Sequence, residues 1–234
     1  MAGYTFVADG GYKSNLAGGS MTPTMPTFSA GNLLLLQTGV NSTSLGAPTI
    51  SGWTKLTTNT TVAGDALYAL VAAGGETSPS FSWDGSHQAY SRIVSFSGDV
   101  YTDLSTIVVQ ASERATNATG RIAVNSTSAP SMANCLAIRG GHCVKTATNN
   151  GSSFNDWFAD SGIYTKIGNT QLVQSGTALA AALWYDSQST AAATSIDTAA
   201  LTNGDSSGNS QGYTLILQPL VLQLRTRSLL GVGV

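Results

Sequence analysis

Apolar residues along this chain come in short runs separated by turn chemistry. Asn32-Leu-Leu-Leu-Leu-Gln37 is opened by Ala30-Gly31 and closed by the polar stretch Asn41–Ser44. Asp65–Ala72 follows Ala63-Gly64 and stops at Gly74-Gly75, and Ser80–Trp83 lies between Pro79 and Asp84-Gly85. An Asp-Gly dipeptide between two strand-like runs is a hairpin signal, so Ser80–Trp83 is expected to pair with Gln88–Phe96. Leu104–Ala111 and Gly120–Val124 supply two more runs, and Tyr4–Ala8 reads as an edge strand. Ala178–Tyr185 has helical propensity, but its length and its flanks, Ser175-Gly176 and Asp186-Ser187, predict a strand. Strands at roughly 8–12-residue spacing with Gly, Asn and Ser turns predict an all-β, antiparallel sandwich or barrel.

The order of the runs also repeats. Gly31–Gly39 reappears as Ala133–Gly141, Gly52-Trp53-Thr54 as Asp156-Trp157-Phe158, Gly64–Leu70 as Gly176–Ala182, and Ala89–Val94 as Gly212–Leu217. Four strands bury only one face, so neither copy is expected to be stable alone. The expectation is one jelly-roll-like β-sandwich, residues 31–219, built from two diverged halves at 31–98 and 133–219 and linked by strands in 99–132. Trp53, Trp157, Tyr90 and Tyr213 are its expected core landmarks. Residues 1–30, with Pro23 and Pro26, read as an arm leading into the sandwich. Residues 220–234 carry Leu220, Leu222, Leu224, Leu229 and Leu230 beyond the last repeated run. A free tail this apolar would invite aggregation, so these leucines are expected to make assembly contacts, as the arm is.

Composition narrows the class. Of 234 residues only 9% are charged, the net charge is −2 and 42% are hydrophobic. That excludes a charge-rich coiled coil, a disordered chain and an electrostatic footprint for nucleic acid. Met1–Asp9 has neither a basic start nor a long apolar stretch, so no signal peptide is expected and synthesis is assigned to the cytoplasm. No apolar run approaches the roughly 20 residues of a membrane helix. Cys135 and Cys143 on one strand would stand about 27 Å apart, too far for a disulfide, and free thiols are expected.

Candidate chemistry is sparse. Gly140-Gly-His142-Cys143 and Gly204-Asp-Ser206-Ser-Gly208 superficially resemble the His and Ser signatures of chymotrypsin-like proteases. Those proteases space the two much further apart, with an Asp between, and a triad must be met as geometry. His142 and Cys143 are adjacent and would point to opposite faces of a strand, and His87 has no ligand partner at metal-binding spacing. No catalytic residue, metal or cofactor is expected. Trp83, beside Asp84-Gly85, is the best candidate for a sugar-stacking aromatic; its simpler role is to close the hairpin.

The ordered landmarks resemble a class of phage-encoded β-sandwich proteins of tailed-phage virions. Ala30-Gly31-Asn-Leu-Leu, Gly52-Trp53-Thr54, Tyr68 through Val71-Ala-Ala-Gly-Gly-Glu76, and a Ser-rich strand ending Phe96-Ser-Gly98 follow the order "AGDLL", "PAGWT", "YYKVA.GGEP", "I.A.RGVD" of that class. A weaker second copy ends at Thr214-Leu-Ile-Leu-Gln-Pro219, like the class's "IALKP". The resemblance covers about residues 1–219 and departs at Asn32, where the class has Asp, and in the tail. It carries over no functional residues. It implies a virion structural protein, not an enzyme: a decoration or cement protein on the capsid surface. Its partners would be the major capsid protein and copies of itself in a homo-oligomer, a trimer being a common form. The alternative is a tail or fibre component that binds host-surface carbohydrate, with Trp83 as its contact. Neither reading involves nucleic acid or a membrane.

Overall fold

A computed structural model describes residues 3–15, 18–40, 46–57, 65–83, 85, 87–116, 121–124, 127–144, 165–167, 172–173, 179–188, 190, 197–200 and 210–220. Among these residues the chain is all strand and turn. In chain order the strands begin with β1 (Thr5–Asp9), β2 (Lys13–Asn15), β3 (Ser20–Met21) and β4 (Leu33–Val40). β5 (Thr54–Lys55), β6 (Ala66–Val71), β7 (Phe81–Ser82) and β8 (Ala89–Ser97) follow. Next come β9 (Val108–Thr116), β10 (Arg121–Val124), β11 (Cys135–Val144) and β12 (Thr165–Lys166). The series ends with β13 (Leu172–Val173), β14 (Leu179–Gln188), β15 (Asp197–Ala200) and β16 (Ser210–Leu217). Residues 179–188 form the expected strand, against the helical propensity of their alanines, but Asp186-Ser187, read as the turn that closes it, pair with Ala137 and Leu136 inside the strand.

Two six-stranded antiparallel sheets dominate. The first has the order β1-β8-β4-β6-β5, with β2 continuing along β8; the second has β9-β16-β11-β14-β12, with β13 also on β14. Position for position the two orders correspond, and each sheet is drawn from one contiguous stretch of chain. Registers correspond as well. Thr54-Lys55 pairs with Ala69-Tyr68, and Thr165-Lys166 with Tyr185-Trp184. Beyond them the Leu56 amide donates to Leu67 O at 2.8 Å and the Ile167 amide to Leu183 O at 3.0 Å. Thr165-Lys166-Ile167 thus stands where Thr54-Lys55-Leu56 does, several residues past the Trp157 echo, which lies outside the described residues. Gly39 opposes Tyr90 and Gly140 opposes Tyr213, one residue out of step with the sequence match of Gly39 to Gly141.

Alternation along each strand sorts residues into layers. Leu33, Leu35, Leu67, Val94 and Phe96 of the first sheet join Leu136, Ile138, Leu183, Leu215 and Leu217 of the second in one buried cluster. A second cluster covers the other face of the first sheet: Leu34, Leu36, Tyr68 and Ile93 pack with Met21, Ile50, Phe81 and Trp83. Burial on both faces explains why Leu33–Leu36 is unbroken leucine instead of an alternating run.

The Asp84-Gly85 hairpin is a correction. β7 pairs with β3, not with β8. Met21 and Phe81 are both buried in the outer cluster, and joining them there outweighs a local turn preference. Gly85 still turns the chain with a φ of 77°.

Candidate functional site

The interlayer is apolar at one end and polar at the other. On β4 the inward positions run Leu33, Leu35, Gln37, Gly39, and on β8 Phe96, Val94, Arg92, Tyr90. The strands thus bring Gln37, Arg92 and Tyr90 side by side between the sheets. Arg92 is 2% exposed and Gln37, Tyr90 and Tyr213 are fully buried. Burying a guanidinium costs several kcal/mol unless it is paired. The N-terminal arm supplies the partner: Arg92 Nε donates to Asp9 Oδ1 at 2.7 Å and Arg92 Nη2 to Asp9 Oδ2 at 2.5 Å. The Tyr12 ring covers the guanidinium, 4.6 Å from carbon to centroid, a cation–π contact.

From there the contacts cross to the second sheet. Tyr12 Oη donates to Gln37 Oε1 at 3.0 Å, and Gln37 Nε2 donates to Ala182 O of β14 at 3.3 Å. Beside them Tyr90 Oη donates to Asp65 Oδ1 at 2.9 Å, and Asp65 is 1% exposed. Tyr90 packs with Ala181 of β14. A Cβ on Gly39 would collide with the Tyr90 ring and one on Gly140 with the Tyr213 ring. Each sheet therefore seats one inward tyrosine in the space left by a glycine on its neighbouring strand.

Burial pushes the Tyr12, Tyr90 and Tyr213 hydroxyls above the ordinary phenol range, with the Asp65 charge adding to it. Burial also raises the Asp9 carboxyl. The hydrogen bonds from Arg92 and from the Gly11 amide, with the Arg92 charge, outweigh it and hold that carboxyl below its usual value. Arg92 loses stability as a cation through burial and regains more from Asp9 and Tyr12 together, so it stays charged. Phenols kept protonated and an ion pair kept ionised make a fixed cross-link between arm, first sheet and second sheet. They are not poised to exchange protons near neutral pH.

The residues singled out in the sequence fall as follows. Tyr90 and Tyr213 lie in the interlayer, at the centre of the polar end. Trp53 is half-buried and packs against the outer cluster of the first sheet; it caps that cluster. Trp83 is 9% exposed and its Nε1 donates to His87 O at 3.1 Å, so little of the ring is open to a sugar. Leu220 is half-buried and its amide donates to Asp99 O at 2.7 Å. Leu222, Leu224, Leu229, Leu230, Trp157 and Ser206 lie outside the described residues. His142 and Cys143 are on β11, where His142 pairs with Ala181 and Gln211. Cys135 is a free, buried thiol whose pKa burial pushes up to about 11. Among the described residues no three His, Cys, Asp or Glu side chains gather as a metal site.

Sequence reasoning took Tyr90 and Tyr213 as core landmarks, and both are fully buried, but it missed the polar cluster around them. The available signal was Arg92, a charged residue inside an apolar strand of a chain with few charges. Compared with known proteins, the chain matches no family model, no curated protein and no solved structure.

Proposed function

We propose that the chain is a β-sandwich of two diverged halves, each half forming one layer, and that it serves as a non-enzymatic structural component of a bacteriophage particle. In this reading it decorates the head, bridging subunits of the major capsid protein and contacting copies of itself. The observation that carries the reading is the twin body: two sheets of corresponding strand order, one shared interlayer, and a buried ionic and phenolic cross-link at one end. A brace on a pressurised shell must carry load between its layers without slipping. Apolar packing alone tolerates small shifts, whereas a buried ion pair with fixed partners specifies one register. A chain with 9% charged residues suits many weak contacts repeated by symmetry, which sum to high avidity.

The ordered resemblance to tailed-phage virion proteins supports the same reading. The pattern of leucines in 220–234 supports placing assembly contacts there, beginning at Leu220. Trp83, the contact expected under the carbohydrate alternative, is largely buried, which favours the structural reading.

The test is the copy number of the protein in purified particles, by quantitative mass spectrometry, with and without residues 220–234. Copies in proportion to the major capsid protein are expected, falling sharply in the truncated form while its circular dichroism stays unchanged. A few copies per particle, complete absence, or unaltered occupancy after truncation would each overturn the assignment it addresses.

A further inference from the structure

The two sheets end in edge strands that share one irregularity. In β1, Phe6 opposes Phe96 and Ala8 opposes Ser95, so Val7 is an extra residue in the ladder. In β9, Val108 opposes Leu217 and Gln110 opposes Ile216, which leaves Val109 as the extra residue. β1 and β9 hold the same position in their sheets, and Phe96 and Leu217 both face the interlayer. The bulge therefore falls at the same point of both halves, although Phe6-Val7-Ala8 and Val108-Val109-Gln110 share only the valine. The opposite edges differ in kind. There β5, β12 and β13 are two residues each, and both β5 and β12 read Thr-Lys.

An edge strand presents a row of unpaired amides and carbonyls that any other extended chain can join. A bulge sets two residues against one, which breaks the even spacing of that row and adds local twist. β1 and β9 are the edges long enough to need one, at five and nine residues. Val7 is 41% exposed, so β1 is open to solvent at its bulge. We propose that the bulges at Val7 and Val109 bar strand addition. The long edges are closed by a bulge and the opposite ones by brevity and lysine, so a second chain meets the faces and ends of the sandwich and does not extend its sheets. In a chain with 9% charged residues, backbone geometry does at β1 and β9 what a row of charged side chains does elsewhere. The inference rests on the strand registers and stands apart from the virion reading.

Deleting Val7 or Val109 removes the bulge and leaves every paired residue opposite its present partner. Phe6 and Ala8 then follow one another opposite Phe96 and Ser95, and Asp9 stays opposite Val94. Each deletion variant, its fold checked by circular dichroism, is compared with the unaltered chain in two assays. One is sedimentation velocity over a range of concentrations; the other is titration with a labelled peptide of residues 89–97, the strand that β1 accepts in the fold. The variants are expected to form a concentration-dependent series of species larger than any the unaltered chain forms, and to bind the peptide where the unaltered chain does not. The two deletions are independent, so one that folds suffices. A folded variant that matches the unaltered chain in both assays would overturn the proposal. Binding of the peptide to the unaltered chain would do the same, and that result needs no variant to fold.

Discussion

Gly39 and Gly140 are glycines for a steric reason. Each faces the ring of a tyrosine on the neighbouring strand, and a methyl at either place would collide with it. Gly39→Ala and Gly140→Ala should each destabilise the protein by about 1–3 kcal/mol in urea unfolding, the usual cost of overpacking. Gly46→Ala, where a Cβ meets nothing within 4 Å, should be close to neutral; equal losses at all three positions would remove the steric account. Removing the Tyr90 hydroxyl should also be costly, about 1–3 kcal/mol, because Asp65 stays buried without that donor. Asp9 contributes to the acid behaviour. Its folded pKa lies below the ordinary 3.8, so its contribution is complete above pH 3.8 and is lost as pH falls through the lower folded value. Asp9→Asn should lower stability at neutral pH and flatten the acid limb of the stability profile; an unchanged limb would show that the ion pair contributes nothing.

The central strands are buried on both faces, and this is testable by neighbouring residues of β4. Leu35 faces the interlayer and Leu34 the outer cluster, and both are fully buried. Leu34→Ala and Leu35→Ala should each cost about 2–5 kcal/mol. A cheap Leu34→Ala would mean that the arm and the β7 segment do not cover the outer face. The strands themselves were largely readable, because short apolar runs bounded by Gly, Asn and Ser leave few alternatives. The pairing of β7 was not. Asp84-Gly85 is a good local turn, but the partner of Phe81 is chosen by burial against Met21, sixty positions away in the chain. Local chemistry placed the turn and tertiary packing placed the strand. The polar cluster escaped for a similar reason: Asp9, Gln37, Arg92 and Asp65, the residue just before β6, converge only when β1, β4, β6 and β8 lie side by side. The sequence match paired Gly39 with Gly141, whereas it is Gly140 that faces Tyr213 as Gly39 faces Tyr90, a one-residue slip that sequence spacing alone does not reveal.

At the scale of the molecule, the functional proposal depends on the two sheets acting as one body. They share the interlayer cluster, and contacts from both ends of the described chain fasten them. Tyr4 Oη donates to Gln218 O at 2.7 Å, and Ser187 Oγ donates to Tyr4 O at 2.6 Å. Phe6 stacks on Tyr185 at 5.4 Å between ring centroids. Neither layer has another partner for its inward face among the described residues. The most direct test is equilibrium unfolding in guanidinium, followed by native-state hydrogen exchange of β4 and β8 against β11 and β16. A single coincident transition, with both strand pairs protected to the same free energy, is the predicted result. Two separated transitions, one sheet opening while the other stays protected, would contradict it.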